Sequence, residues 1–151
     1  SAITARAEVM DAAPAGTKGR TFSGNPVSCA AALAVIDIMK RDDYAGKARH
    51  IGEVVTKRYN ELKDKYEVVG DVRGLGAMIG IELVKDKASK EPATEIASKL
   101  IYNAMQKGLL LESCGTANNV IRFLAPLTMS DEQMAKGLEI FEESLKEAIA
   151  E

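Results

Sequence analysis

Apolar residues recur at helical spacing in several long segments of the chain. The segment from Pro26 to about Arg41 is apolar around nearly its whole circumference, which predicts a helix buried on most sides. Further helices are predicted over about residues 43–65, 92–107 and 130–150, and the first of these three sets an apolar face against a charged one. The all-round apolar helix therefore needs more cover than one small sheet can provide.

Short runs of strand composition separate these helices. Residues 66–72 and the sequence RGLGAMIGIELV predict a hairpin that turns at Arg73 and Gly74. Residues 109–111 and 120–124 predict two more strands around the loop ESCGTANN. The order helix, helix, two strands, helix, two strands, helix predicts an α+β fold in which helices pack on a small antiparallel or mixed sheet.

Three helix ends carry recognisable signals. Asn25 and Pro26 have the residue types of an N-cap and a first helical residue. Gly108 is the expected stop of the third long helix. Ser130 and Gln133 have the spacing of a capping box, which predicts the start of the last helix.

The stretch TFSGNPVSC admits two interpretations. In the first, Asn25 and Pro26 simply cap the helix that follows. In the second, the helix start and the hydroxyls of Thr21 and Ser23 beside it form a place for an anion. The residues alone leave both open.

Composition narrows the possible partners. The chain has 151 residues, 46% of them hydrophobic, which is enough for one domain with a core. A net charge of -2 gives no electrostatic footprint for nucleic acid or an anionic membrane. Cys29 and Cys114 are far apart and show no metal-site spacing, which favours reduced thiols and a cytoplasmic protein. No apolar run is long enough to span a bilayer. The small net charge makes a small molecule or a protein the expected partner.

Arg122 is the main candidate for a functional residue. It stands between Ile121 and Phe123 in an apolar strand, and alternation puts it on the opposite face from both. It either pairs with a surface carboxylate or points into a cleft and binds a ligand carboxylate through two parallel hydrogen bonds. Arg73, in a glycine-rich turn, is a weaker candidate, and His50 is expected to face solvent. No nucleophilic triad can be assembled.

Three stretches carry a resemblance to a known family. They are GRTFSGNPVSCAAALAVIDIM, VRGLGAMIGIEL and KGLLLESCGTANNVIRFLAPLTMSDEQMAKGLEIFEESL. Their order and separation resemble the class III (ω-amino acid) aminotransferases, which are fold type I enzymes that use pyridoxal 5'-phosphate (PLP). The stretch NVIRFLAPLT is most similar to the 4-aminobutyrate-specific members. The resemblance implies the C-terminal small domain for residues 42–151, a connecting helix for 26–41 and an arm from the large domain for 1–25.

The resemblance also implies roles for single residues. Thr21 matches the threonine that binds the PLP phosphate of the neighbouring subunit, which implies a homodimer or a higher homo-oligomer. Arg20 and Phe22 stand where a second glycine and a tyrosine are usual, and they are further candidates for cofactor binding. Arg122 matches the arginine that holds the substrate carboxylate. The implied substrates are amino acids and 2-oxo acids.

A lysine is missing from this pattern. The Schiff-base lysine of such enzymes belongs to a segment upstream of Ser1, and neither Lys18, Lys40 nor Lys47 has its motif. The chain is therefore expected to be the C-terminal portion of an enzyme that moves an amino group from 4-aminobutyrate, or a similar ω-amine, to 2-oxoglutarate, and to be inactive alone. The alternatives are an acetylornithine or ornithine type of class III enzyme, and a free-standing α+β module that binds a small anion or a protein.

Overall fold

The chain divides into two compact units. The computed structural model describes residues 2–14, 16–17, 19 and 21–150. The first unit comprises residues 1–43 and the second residues 44–151. The second unit contains the sheet and the buried core.

The first unit contains a short helix α1 (Ala7–Asp11) and a long helix α2 (Pro26–Arg41). The bounds of α2 agree with the prediction. The side chain of Asn25 accepts hydrogen bonds from the backbone N–H groups of Val27 at 3.0 Å and Ser28 at 3.2 Å. Pro26 follows as the first helical residue. The predicted N-cap is confirmed, and it satisfies two donors that would otherwise lack an intrahelical partner.

Helix α2 contains no buried residue, so the prediction that it is buried on most sides is wrong for this chain. Because its apolar residues lie all round the circumference, burial would require several packing surfaces. The described part of the first unit does not supply them. The large apolar side chains that α2 exposes are Val27, Leu33, Val35, Ile36, Ile38 and Met39.

The second unit is an α+β fold, as predicted. Its sheet has four strands in the order β1-β2-β4-β3, and every neighbouring pair is antiparallel. One apolar core joins the inner faces of three helices to one face of the sheet. In chain order the elements are α3 (Tyr44–Lys65), β1 (Val69–Leu75), β2 (Met78–Leu83), α4 (Thr94–Gln106), β3 (Glu112–Cys114), β4 (Val120–Phe123) and α5 (Asp131–Ala150).

The β1–β2 hairpin is present, but its turn lies further along the chain than predicted. Arg73 and Gly74 belong to the strand, and the ladder continues to the pair Leu75–Met78. The turn residue is Gly76, which has a positive φ of 55°. Gly74 allows the two strands to approach closely, because a Cβ there would lie 2.2 Å from the carbonyl oxygen of Met78. A glycine-rich run thus marks a tight hairpin without identifying the turning residue.

Strand β3 also differs from the prediction. The apolar run of residues 109–111 was the expected strand, whereas the ladder with β4 begins at Glu112 and ends at Cys114. The pairing of Glu112 with Arg122 and of Cys114 with Val120 sets this register. Apolar composition therefore located the neighbourhood of the strand but not the residues that form its hydrogen bonds.

The remaining helix ends follow local chemistry. Gly108 has a φ of 85° just after α4, as a helix stop requires. Ser130 and Gln133 form the predicted capping box, with reciprocal bonds of 3.1 and 3.2 Å. Helix α4 begins later than expected, at Thr94, since Pro92 instead forms an isolated bridge with Val84.

Candidate functional site

Arg122 lies in β4, near the middle of a row of four residues that crosses the sheet. Arg73, Gly80, Arg122 and Glu112 stand opposite one another on successive strands, so they share one face. That face is opposite the one on which Ile121 is fully buried. The sequence prediction that Arg122 points away from its apolar neighbours follows from the same alternation.

Among the described residues, the guanidinium of Arg122 has one carboxylate partner. Its Nη2 donates a hydrogen bond to Oε2 of Glu112 at 2.8 Å. The Arg122 side chain is 37% exposed, whereas that of Glu112 is 76% exposed. The sequence left two roles open for Arg122. This ion pair is the first of them, a pairing with a surface carboxylate.

A second donor of Arg122, its Nε, is unpaired among the described residues. This nitrogen is also buried. A buried donor without an acceptor costs about 1–3 kcal/mol. A carboxylate that accepts from two guanidinium nitrogens at once would relieve this cost. Arg122 is thus paired with a surface carboxylate while its Nε lacks an acceptor among the described residues. Binding of a ligand carboxylate by Arg122 stays a prediction.

Arg73, at the other end of the row, is more fully engaged. It donates to Asp71 at 2.9 Å and also contacts Glu82. The hydrogen bonds that Arg73 donates to Asp71 and Glu82 raise the pKa of Arg73, and the bond to Asp71 lowers the pKa of Asp71. Because two carboxylates already accept from Arg73, it is a weaker binding group for an external anion than Arg122.

A cavity of about 470 Å³ adjoins Arg122 and Glu112, and both residues contribute to its lining. The rest of the lining is mainly apolar, which is typical of pockets that take small organic molecules. Leu109 and Leu111, predicted as strand residues, are instead part of this wall. Other wall residues are Tyr59, Phe123, Met129 and Phe141.

The predicted phosphate contacts lie in the first unit, just before α2. Thr21 is exposed, and Phe22 is 82% exposed. Arg20 lies outside the described residues. No described residue of this segment is buried, so Thr21 and Phe22 do not enclose a ligand by themselves.

The start of α2 has little capacity left for an anion. Pro26 has no N–H, and the N–H groups of Val27 and Ser28 donate to the Asn25 side chain. The next N–H, from Cys29, donates to the Asn25 carbonyl at 3.0 Å. The capping interpretation therefore accounts for the local structure. In this segment the group left to bind a phosphate is the hydroxyl of Thr21. This role of Thr21 stays a prediction.

Other candidates have ordinary partners. His50 is exposed and contacts Asp131 at 2.8 Å, in agreement with its predicted solvent-facing position. In the residues that the structure describes, no three His, Cys, Asp or Glu side chains are grouped to hold a metal ion. No helix in the described ranges is both long enough and apolar enough to cross a membrane.

Comparison with known proteins identifies the family. A family model described as "Aminotransferase class-III" matches residues 1–145. The chain belongs to the class III aminotransferases. The resemblance inferred from the sequence motifs is thereby confirmed.

Two curated relatives of this aminotransferase chain act on ω-amino acids, according to their names. The chain is 44% identical over 147 residues to the 5-aminovalerate aminotransferase DavT of Pseudomonas aeruginosa, covering 97% of this chain and 34% of that protein. It is 42% identical over 146 residues to the 4-aminobutyrate aminotransferase GabT of Escherichia coli, again covering 97% and 34%. The chain thus spans about a third of the length of these relatives.

The solved structures agree with the family. An amine transaminase from an uncultivated Pseudomonas species, in a PLP-bound form, superposes with a TM-score of 0.77. It is 33% identical, and the match covers 89% of this chain and 30% of that one. PLP dependence is therefore a property of the family to which this chain belongs. The α+β fold predicted from the sequence is that of the matching part of this transaminase.

Sequence reasoning missed Glu112. It was placed in the loop ESCGTANN because the apolar residues before it were taken as the strand. The signal that could have found it is the alternation of Glu112 and Cys114 opposite Arg122 and Val120. Recognising that signal requires the register, which a single strand sequence does not specify.

Proposed function

We propose that this chain is a portion of a PLP-dependent enzyme that transfers an amino group from 4-aminobutyrate, or a similar ω-amino acid, to 2-oxoglutarate. The names of the relatives favour an ω-amino donor over the acetylornithine and ornithine alternatives. Family membership over residues 1–145 favours a transaminase over an unrelated binding module. The observation that carries the proposal is the unpartnered, buried Nε of Arg122.

In this proposal Arg122 binds a carboxylate of the substrate. Its planar guanidinium would offer Nε and Nη2 in parallel, which fixes the orientation of a carboxylate as well as its position. The mainly apolar cavity beside it would limit access of water to that ion pair. When bound, PLP supplies the electron sink that makes the proton on the amine-bearing carbon removable. The contribution of Arg122 is to hold the substrate so that this carbon is presented correctly.

Thr21 would donate its hydroxyl to the cofactor phosphate of a neighbouring subunit. Its exposure in this chain fits a group that completes a site elsewhere. Phe22 is also exposed and available for such a contact, and Arg20 would add a positive charge. The proposal therefore includes a homodimer or higher homo-oligomer, acting in the cytoplasm.

The lysine that holds the cofactor covalently is not assigned to any residue of this chain. Lys40 lies on α2 and Lys47 on α3, and neither has the sequence motif that surrounds this lysine in the family. Lys18 lacks that motif as well. We expect the isolated chain to show no cofactor absorbance and no transamination. Borohydride reduction with PLP followed by mass spectrometry checks this, and stoichiometric labelling of one lysine together with turnover would contradict it.

Replacement of Arg122 in the intact enzyme tests the assigned role. Arg122→Lys keeps the charge but removes the fork, so kcat/KM for 2-oxoglutarate should fall by roughly 1.5–3 kcal/mol of transition-state stabilisation. Amines without a carboxylate should react almost unchanged in their own half-reaction. Arg73→Lys, on the same sheet face, is the matched control and should have little effect on either substrate. Equal losses for both substrate types would assign Arg122 to the fold instead.

A further inference from the structure

The cavity beside Arg122 reaches from the outer face of the sheet to the core. Arg122 lies on the outer face, whereas Tyr59 of α3 belongs to the core, and both line the cavity. Leu110 and Leu124 also line it and are 84% and 61% exposed, so they mark its opening to solvent. The cavity therefore runs from an apolar opening to a deep end at Tyr59.

Tyr59 carries a polar group that the fold leaves without a partner. Its side chain is 1% exposed, and its hydroxyl makes no hydrogen bond to the described residues. The ring packs against that of Phe141 at a centroid distance of 5.0 Å, which fixes the position of the hydroxyl. Buried polar atoms have a partner in the large majority of cases, so a lone hydroxyl in a cavity wall favours a bound molecule as its partner.

The polar side chains elsewhere in the wall have partners within the chain. Glu112 accepts a hydrogen bond from Arg122, and Oε1 of Gln133 accepts one from the backbone N–H of Ser130. The other side chains of the wall are mainly apolar or aromatic. A molecule in the deep end would thus contact apolar surface along its body and one hydroxyl at its tip.

The deep end is unsuited to a charged group. Burial raises the pKa of the Tyr59 hydroxyl, so this group stays neutral at physiological pH. The charged side chains in the wall are Arg122 and Glu112, which pair with each other at the outer face. An ionised ligand group beside Tyr59 would lose its hydration without gaining an opposite charge.

We propose that this cavity binds a neutral, mainly apolar small molecule whose single oxygen atom forms a hydrogen bond with the Tyr59 hydroxyl. Such a molecule buries its carbon skeleton against apolar side chains and satisfies the hydroxyl. The volume of about 470 Å³ is in the range of pockets that take small organic molecules. This site is separate from the carboxylate-binding role proposed for Arg122 and does not depend on it.

Two probes of similar shape test the pairing with Tyr59. Benzyl alcohol carries one hydroxyl, and ethylbenzene has a methyl group in its place. NMR of the chain labelled with ¹³C at the methionine methyl groups follows binding at Met129 and Met134, which both line the cavity. Both probes should shift these signals. In Tyr59→Phe, which keeps the ring, the Kd of benzyl alcohol should rise by about threefold to tenfold through loss of one hydrogen bond, whereas that of ethylbenzene should stay unchanged.

Tyr102→Phe is the matched control, because Tyr102 is 59% exposed and does not line the cavity. It should leave both Kd values unchanged. An unchanged Kd of benzyl alcohol in Tyr59→Phe, or an equal rise for both probes, would overturn the pairing with Tyr59. Absence of any probe-dependent shift at Met129 and Met134 would overturn the site itself. Neither result bears on Arg122, whose role is tested by the reaction with 2-oxoglutarate.

Discussion

Helices α2 and α5 show that apolar content and burial are separate properties. Helix α2 (Pro26–Arg41) is the more apolar along its length, yet none of its residues is buried. Helix α5 (Asp131–Ala150) carries many charges and still buries seven residues against the second unit. The difference lies in arrangement: α5 gathers its apolar residues on one face, whereas α2 spreads them all round. One packing surface can satisfy the first pattern but not the second.

The largest contrast is expected from truncating one side chain in each helix. Phe141 of α5 is 1% exposed, and its ring centroid lies 5.0 Å from that of Tyr59. Phe141→Ala should lower the free energy of unfolding by about 3–5 kcal/mol, because the cavity left behind cannot fully collapse. Urea unfolding monitored by circular dichroism measures this.

The matched change in α2 is Leu33→Ala, at a residue that is 64% exposed. Its effect on the unfolding free energy should stay within about 0.5 kcal/mol. A loss comparable to that of Phe141→Ala would show that α2 packs in solution against a surface absent from the structure, and the contrast between the helices would disappear.

A second contrast concerns the charge that α5 buries. Glu142 accepts hydrogen bonds from Lys65 at 2.7 Å and Tyr66 at 2.8 Å, and it also contacts Arg58. The Lys65 bond is the largest cause that lowers the pKa of Glu142 from its usual 4.5 to about 2, with partial burial opposing the shift. Glu142→Gln should therefore cost about 1–3 kcal/mol of unfolding free energy at neutral pH. Urea unfolding of both proteins as a function of pH measures the difference.

The pH dependence follows from the direction of that shift. Because the pKa of folded Glu142 is below the unfolded value, its stabilisation is complete above 4.5 and is lost as the pH falls towards 2. The stability difference between the parent chain and Glu142→Gln should shrink over this range. Glu143→Gln, at the exposed neighbouring position, is the control for the loss of one negative charge from α5. A difference that is constant with pH would contradict the charge-based explanation.

A third comparison uses two helical glycines of the second unit. An added Cβ at Gly52 of α3 would lie 2.4 Å from the carbonyl oxygen of Gly76, whereas at Gly137 of α5 the nearest atom is 3.8 Å away. Gly52→Ala should destabilise the chain by about 1–3 kcal/mol through overpacking. Gly137→Ala should instead stabilise it, by up to about 1 kcal/mol, through helix propensity. Thermal unfolding compares the two, and effects of the same sign would contradict the packing argument.

The smallest expected effect concerns the cap of α2. Asn25→Ala removes the acceptor for the N–H groups of Val27 and Ser28, which should cost about 1 kcal/mol of local helix stability. Amide hydrogen exchange in the first turn of α2 should accelerate, while exchange in α5 stays unchanged. Ser23→Ala, in the preceding turn, is the control. Faster exchange in α5 as well would mean that the cap supports more than its own helix.

The amino-acid sequence by itself determined the element order, the α+β class and the family. It also placed the Asn25 cap, the Gly108 stop and the Ser130–Gln133 capping box. These features rest on interactions between residues close in the chain, so local patterns predict them. Arg122 was likewise selected as a candidate from its strand position.

The tertiary structure decided the features that depend on pairing between distant segments. The true turn at Gly76, the start of β3 at Glu112 and the row that joins Arg122 to Glu112 all follow from strand register. A shift of one residue in register moves a side chain to the other face, and nothing in a single strand specifies that choice. The exposure of α2 also depends on distant segments. The pattern of a helix indicates how much apolar surface needs to be covered, but it does not indicate whether another segment packs there.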